Sequence, residues 1–214
     1  MDPPENSSRK SLGKETNSSP IWLFIAFEGG LAALGILLAW AAGFDALGRP
    51  SGSNEGLLVK PIALGIGVGL ICFAVMSALD RLNWAPLARL REIVEQAMAK
   101  LLREASLWQV VALAAAAGIG EEVLFRGFLQ QGVADAMKRM EFDVVPAQCA
   151  AIGAASLIFG LCHAMTKTYL VAATVMSAIL GYLYLYADHI LAPIVAHGLY
   201  DFVAILYFVR SQKN

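Results

Sequence analysis

IWLFIAFEGGLAALGILLAWAAG, residues 21 to 43, carries one charged side chain, Glu28, in its whole length. A helix needs about 20 mostly apolar residues to cross a bilayer, so this stretch predicts a membrane span. Residues 57 to 79, LLVKPIALGIGVGLICFAVMSAL, give a second span of the same kind. Four more apolar runs follow at 107 to 131, 145 to 165, 168 to 186 and 190 to 209. The fold class expected is therefore all-α, a polytopic transmembrane bundle of about six spans. The composition agrees: 58% of the 214 residues are hydrophobic, 15% are charged, and the mean hydropathy is +0.62. One small soluble core could not hide that much apolar surface. A net charge of -1 gives no sign of nucleic-acid binding.

Outside the spans, residues 1 to 19 are polar and read as a flexible tail. No small-residue cleavage site follows the first span closely, so that span is expected to remain as an anchor. Residues 80 to 105 alternate basic and acidic residues with Leu87, Leu90, Ile93, Val94, Ala97, Met98 and Leu101 at three- and four-residue steps. That spacing predicts an amphipathic helix, lying in the membrane interface or serving as a solvated linker. The domain expectation is a tail (1–19), anchor spans with the amphipathic linker (20–106), a core (107–209) and a short tail (210–214).

Loop charges give an orientation. Eleven basic residues fall on the side of the amino terminus: Arg9, Lys10, Lys14, Arg81, Arg89, Arg91, Lys100, Arg103, Lys167, Arg210 and Lys213. Arg49, Lys60, Lys138 and Arg139 fall on the other. The positive-inside tendency then puts both termini in the cytoplasm. Trp22, Trp40, Trp84 and Trp108 lie near span ends, as an aromatic belt requires. Cys72, Cys149 and Cys162 show no metal-binding or redox spacing and are read as small buried hydrophobes. There is no internal repeat of the kind many transporters carry.

Within the last four spans, six ionisable residues are out of place in a bilayer: Glu121, Glu122, Arg126, His163, His197 and Asp201. Intramembrane charge is costly unless paired or facing a wet cavity, so the cluster is read as functional. Arg126 follows Glu122 by four residues, the favourable order for an ion pair on one helix face. Glu121 points elsewhere and has no local partner, which suits a general base. Gly118 and Ala117, one turn before it, are expected to leave room for water or a peptide. His197 and Asp201 are also four apart, and Phe159 sits one turn before His163 and packs beside its ring. A carboxylate with two imidazoles can activate water directly or through a divalent metal. Glu28 is read as an interface carboxylate, and Asp188 and His189 as a solvated turn.

Glu121-Glu122-Val-Leu-Phe-Arg126, Phe159-Gly-Leu-Cys-His163 and His197-Gly-Leu-Tyr-Asp201 resemble the EExxxR, FxxxH and Hxxx(N/D) motifs of the CAAX-protease and bacteriocin-processing (CPBP) enzymes. The resemblance covers roughly residues 107 to 209. It implies an intramembrane endopeptidase acting on a membrane-associated peptide or protein, and a bacterial plasma-membrane location. It also implies that Glu121 is the catalytic glutamate, that His163 helps polarise the attacking water and that His197 and Asp201 stabilise the oxyanion. Glu122 and Arg126 support the site. Asp201 stands where the prenyl-protein enzymes carry Asn, and an ionised Asp cannot donate to an oxyanion. This residue is therefore either protonated, an orienting partner of His197 or a metal ligand, and the case for a prenylated tail as substrate weakens.

No HExxH is present, and direct Glu/His activation is favoured over zinc held by Glu121, His163 and His197. The competing classes are a proton-coupled transporter, against which the order and spacing of the three motifs argue, and an inert immunity or partner-binding scaffold, against which the intact Glu121, His163 and His197 argue. With the limits above, Glu121 falls mid-membrane and His163 near the cytoplasmic end.

Overall fold

The computed structural model describes residues 21–48, 58–82, 84–102 and 105–211. The predicted tail of 1 to 19, together with Arg49, Arg103 and Lys213, lies outside them. Among the described residues the chain forms helices joined by turns: α1 (Ile21–Ala41), α2 (Val59–Asp80), α3 (Ala85–Leu102), α4 (Leu107–Glu122), α5 (Gln131–Arg139), α6 (Val144–Cys162), α7 (Lys167–Ala187) and α8 (Leu191–Ser211). Val123–Gln130 is π-helical and joins α4 to α5 without a break. Local sequence explains several starts. Pro61, Pro86, Pro146 and Pro193 each stand in the first turn of a helix, where the missing N–H breaks no helical bond. Thr166 caps α7 by accepting from the Tyr169 N–H at 3.0 Å. Asp188, in the left-handed region at φ 52°, ends it.

Among the described residues, five helical stretches are long and apolar enough to cross a membrane: α1, α2, α4 through α5, α6 and α7; α8 adds a shorter apolar portion, Leu191–Tyr207. This is the polytopic bundle that the sequence predicts. Its side chains are sorted by size more than by polarity. Small residues fill the interior, among them Gly35 and Ala39 of α1, Gly65 and Gly69 of α2, and Ala147, Ala151 and Ala155 of α6. Large apolar residues face outward, with Leu23 74% and Trp40 75% exposed. Lipid gives no hydrophobic drive for large side chains to turn inward, whereas close backbone contact rewards small ones. The same sorting corrects the reading of the cysteines. Cys72 is buried as expected, but Cys149 and Cys162 are exposed, because the outward face of α6 is itself apolar.

The closest contact relevant to the site lies between α1 and α4, where a methyl group on Gly120 would strike the Glu28 backbone carbonyl. Gly120→Ala is expected to lower the stability of the detergent-solubilised protein by about 1–3 kcal/mol, the usual cost of overpacking. Gly153→Ala, facing open space, should leave the unfolding midpoint unchanged or raise it.

α3 is amphipathic as predicted. Leu90 is buried, Leu102 packs with Ile21, Val110, Leu113 and Ile205, and Arg89 and Glu92 are exposed. Arg91 ties it to the end of α2 through Asp80 at 3.1 Å.

The helix running from Leu107 to Arg139 is 33 residues long, about 50 Å, against a hydrocarbon core of about 30 Å. α6 turns back from its far end and spans 19 residues, about 28 Å, so it stops level with the middle of the long helix. His163 therefore ends its helix at the height of Glu121, not near the membrane surface. The predicted mismatch in depth came from treating the spans as equal in length.

Candidate active site

Glu121 and Glu122 close α4, at its junction with the π-helical segment, and point to different neighbours. Glu122 and Arg126 are wholly buried, and Arg126 Nη1 donates to Glu122 Oε1 at 2.9 Å. Arg126 Nη2 also donates to the Ser177 carbonyl at 2.8 Å and to its Oγ at 2.9 Å. Gln130, one turn on, donates to the Gly181 carbonyl at 3.1 Å. The π-helical turns thus hold Glu122, Arg126 and Gln130 against one side of α7, a local distortion typical of functional sites. The Arg126 guanidinium also lies 5.5 Å from the Phe159 ring centre.

His197 reaches the same carboxylate from α8. Its Nδ1 is 2.8 Å from Glu122 Oε1, so that one oxygen accepts from both Arg126 and the imidazole. Nδ1 therefore carries a proton, and Nε2 faces the site. There Nε2 lies 3.7 Å from Glu121 Oε2 and 3.5 Å from Asp201 Oδ2. The close packing of α4 on α8 sets this geometry. A methyl on Gly118 would meet the Gly198 amide and the Ile194 carbonyl. The space predicted beside Glu121 for water or peptide is accordingly filled by α8, a correction to the sequence reading.

His163, just past the end of α6, is held by two contacts. Nδ1 donates to the Phe159 carbonyl at 2.8 Å, and the Phe159 ring stacks on the imidazole at 4.3 Å and 17°. With Nδ1 donating to a carbonyl, the neutral ring presents a lone pair on Nε2, 3.8 Å from Glu121 Oε1. Tyr169 meets the ring edge-on at 5.7 Å.

Glu121 thus stands between two imidazoles from two other helices, at spacings that one water molecule can bridge. Its Oε2 is buried with no hydrogen-bond partner among the described residues. The six predicted residues meet at one place and separate into two groups. Glu121, His163, His197 and Asp201 face the site, whereas Glu122 and Arg126 sit behind His197. Ser177 and Tyr169 escaped the sequence reading. The need for buried acceptors on Arg126 was the available signal for Ser177.

One lesser expectation needs adjustment. Asp188 and His189 are half-buried instead of solvated, with His189 Nδ1 accepting from the Leu191 N–H at 3.0 Å. Among the described residues, no group of three His, Cys, Asp or Glu side chains is gathered to hold a metal ion.

Residues 103–203 match the family model described as type II CAAX prenyl endopeptidase Rce1-like. That range contains all six site residues. No curated protein and no solved structure matches the chain.

Proposed function

Residues 103–203 belong to the CPBP family of membrane-embedded proteases, and on that premise we propose that the protein hydrolyses a peptide bond of a membrane-associated substrate by direct Glu/His activation of water. The observation that carries this reading is the placement of Glu121 between His163 and His197, at 3.8 and 3.7 Å. Glu121 and His163 Nε2 are two acceptors, and a water between them offers two O–H donors. Glu121 takes one proton as the water oxygen attacks the scissile carbonyl carbon. Negative charge then develops on the carbonyl oxygen. In its doubly protonated form His197 donates Nε2–H to that oxygen while Nδ1–H stays on Glu122. Collapse of the tetrahedral intermediate breaks the C–N bond, and Glu121 passes its proton to the leaving nitrogen. The products are a carboxylic acid and an amine, which exchange a proton to leave as carboxylate and ammonium.

Glu122 and Arg126 are positioning residues in this scheme. Arg126 fixes Glu122, and Glu122 fixes the His197 ring, in the manner of the carboxylate that orients a catalytic imidazole in other hydrolases. Asp201, 3.5 Å from His197 Nε2, acts as an orienting acceptor, not as an oxyanion donor. Since the helices bring both ends of the described chain to the same face, the basic-residue bias supports cytoplasmic termini in a bacterial plasma membrane.

The test is cleavage of a membrane-tethered peptide by purified protein in vesicles, read by mass spectrometry. The wild type is expected to cut it and to keep its rate after exhaustive chelation. His163→Ala should lose about 10²–10⁴ of that rate. Activity that disappears on chelation and returns with zinc would replace direct activation by metal chemistry.

A further inference from the structure

Beyond Arg126 the long helix carries a second polar region. Gln130, Gln131, Asp135 and Lys138 line a cavity of about 40 Å³ together with Gln148 of α6 and Tyr184 of α7. None of the six residues of the hydrolytic site lines it. Gln130 and Tyr184 are each only 1% exposed. Gln130 Nε2 donates to the Gly181 carbonyl, whereas its Oε1 is buried and has no hydrogen-bond partner among the described residues. The Tyr184 hydroxyl lies 3.3 Å from the Gly48 carbonyl and 3.2 Å from Gln131 Oε1, with one proton to give to the two of them. Gln130 Oε1 and one of those two acceptors thus call for a further donor, since buried polar atoms are rarely left unpaired.

We infer that this cavity is a water-binding site in which a water molecule donates to Gln130 Oε1. Size and chemistry both select that ligand. A buried water occupies about 10–15 Å³ of such a volume, so the cavity has room for about three and is too small for an organic molecule. Cavities that stay dry are lined by apolar groups, whereas this wall carries three amides, a hydroxyl and an ion pair. Lys138 Nζ lies 3.5 Å from Asp135 Oδ1, so the charge of the carboxylate is already balanced and the ligand is neutral. The inference stands apart from the hydrolytic reading. It bears on the site through one seam: Gln130 follows Arg126 by four residues, and Gly181 follows Ser177 by four. Gln130 on Gly181 therefore continues the clamp of Arg126 on Ser177, and hydration completes the bonding of its last member.

The experiment exposes the full chain in vesicles to X-rays and reads side chains modified by hydroxyl radical with mass spectrometry. The radical forms from water, so a buried side chain is modified where water lies beside it. Tyr184 is expected to be modified; Leu180, one turn away on α7 and equally buried, is not, after correction for the intrinsic reactivity of each side chain. Ala134, 2% exposed, also lines the cavity, and Ala134→Val should fill it and abolish the modification of Tyr184. No modification of Tyr184 above that of Leu180, or modification that persists in folded Ala134→Val, overturns the inference. The unfolding midpoint in detergent gives a second reading. In a dry cavity the added methyl groups would be favourable, whereas in a wet one they expel the donor from Gln130 Oε1. Ala134→Val is therefore expected to lower the midpoint, and to lower it less beside Gln130→Met, which lacks the amide oxygen. Equal changes in the two backgrounds, or a larger loss beside Gln130→Met, overturn the inference, as does a midpoint that rises with potassium at constant ionic strength, which would make the ligand a cation. If either variant does not fold, the labelling of wild-type Tyr184 against Leu180 decides.

Discussion

Glu121→Gln is expected to reduce peptide hydrolysis by about 10²–10⁴-fold while leaving the bundle intact. The amide has nearly the shape of the carboxylate, so the packing of α4 against α1 and α8 through Gly120 and Gly118 is unaffected. What is lost is the ability to take a proton from water. His163 Nε2 remains as an acceptor at the same place, but its ring is held to the Phe159 carbonyl and cannot turn to replace the missing group. The amide also presents donors to His197, which reverses the polarity on that side of the site. Turnover by mass spectrometry and the unfolding midpoint in micelles should be measured together. An intact midpoint with a rate within tenfold of wild type would sink the assignment of Glu121 as base.

Arg126→Ala is expected to act through stability. Glu122 and Arg126 are both fully buried, and removal of one partner leaves a buried charge uncompensated, at a cost of about 3–5 kcal/mol. The Ser177 carbonyl and hydroxyl lose their donor as well. Activity should fall with stability, since Glu122 is then free to leave His197. A double-mutant cycle distinguishes this from simple loss of volume. Glu122→Gln combined with Arg126→Met removes both charges and keeps the packing, so it should recover much of the stability without recovering hydrolysis. Unfolding by detergent titration, followed by circular dichroism, reads the cycle. If Arg126→Ala unfolds at the wild-type midpoint, the buried pair is not holding the site.

Contacts within one helix were legible in the sequence, and contacts between helices far less so. Residues four apart meet in any α-helix, so Glu122 with Arg126 and His197 with Asp201 follow from spacing alone. The stacking of Phe159 on His163 follows for the same reason. The bond between His197 and Glu122 crosses two helices 75 positions apart, and nothing local encodes it. Residue periodicity also assumes regular α-helix. The π-helical turns over Val123–Gln130 break that assumption where the site begins, whereas the inference that Gly118 leaves open space fails because α8 packs directly against that glycine. Depth was misjudged because hydropathy marks where a helix is apolar but not how far it extends beyond its neighbour. The interfacial turn at Asp188 and the outward cysteines failed differently: both depended on which face each helix turns to lipid, a choice that an evenly apolar sequence does not record.

The sorting of side chains by size has a consequence for how this chain can change. In a water-soluble core, the large residues are the constrained ones, because truncation opens a cavity. Here Leu, Ile, Val and Trp on the outer shell are exchangeable among themselves, since any apolar side chain satisfies lipid. Constraint falls on Gly120, Gly118, Gly65 and Gly69, where even one added carbon has no place to go. Sequence drift in such a protein is free to rewrite its bulky majority while the smallest side chains carry the memory of the fold.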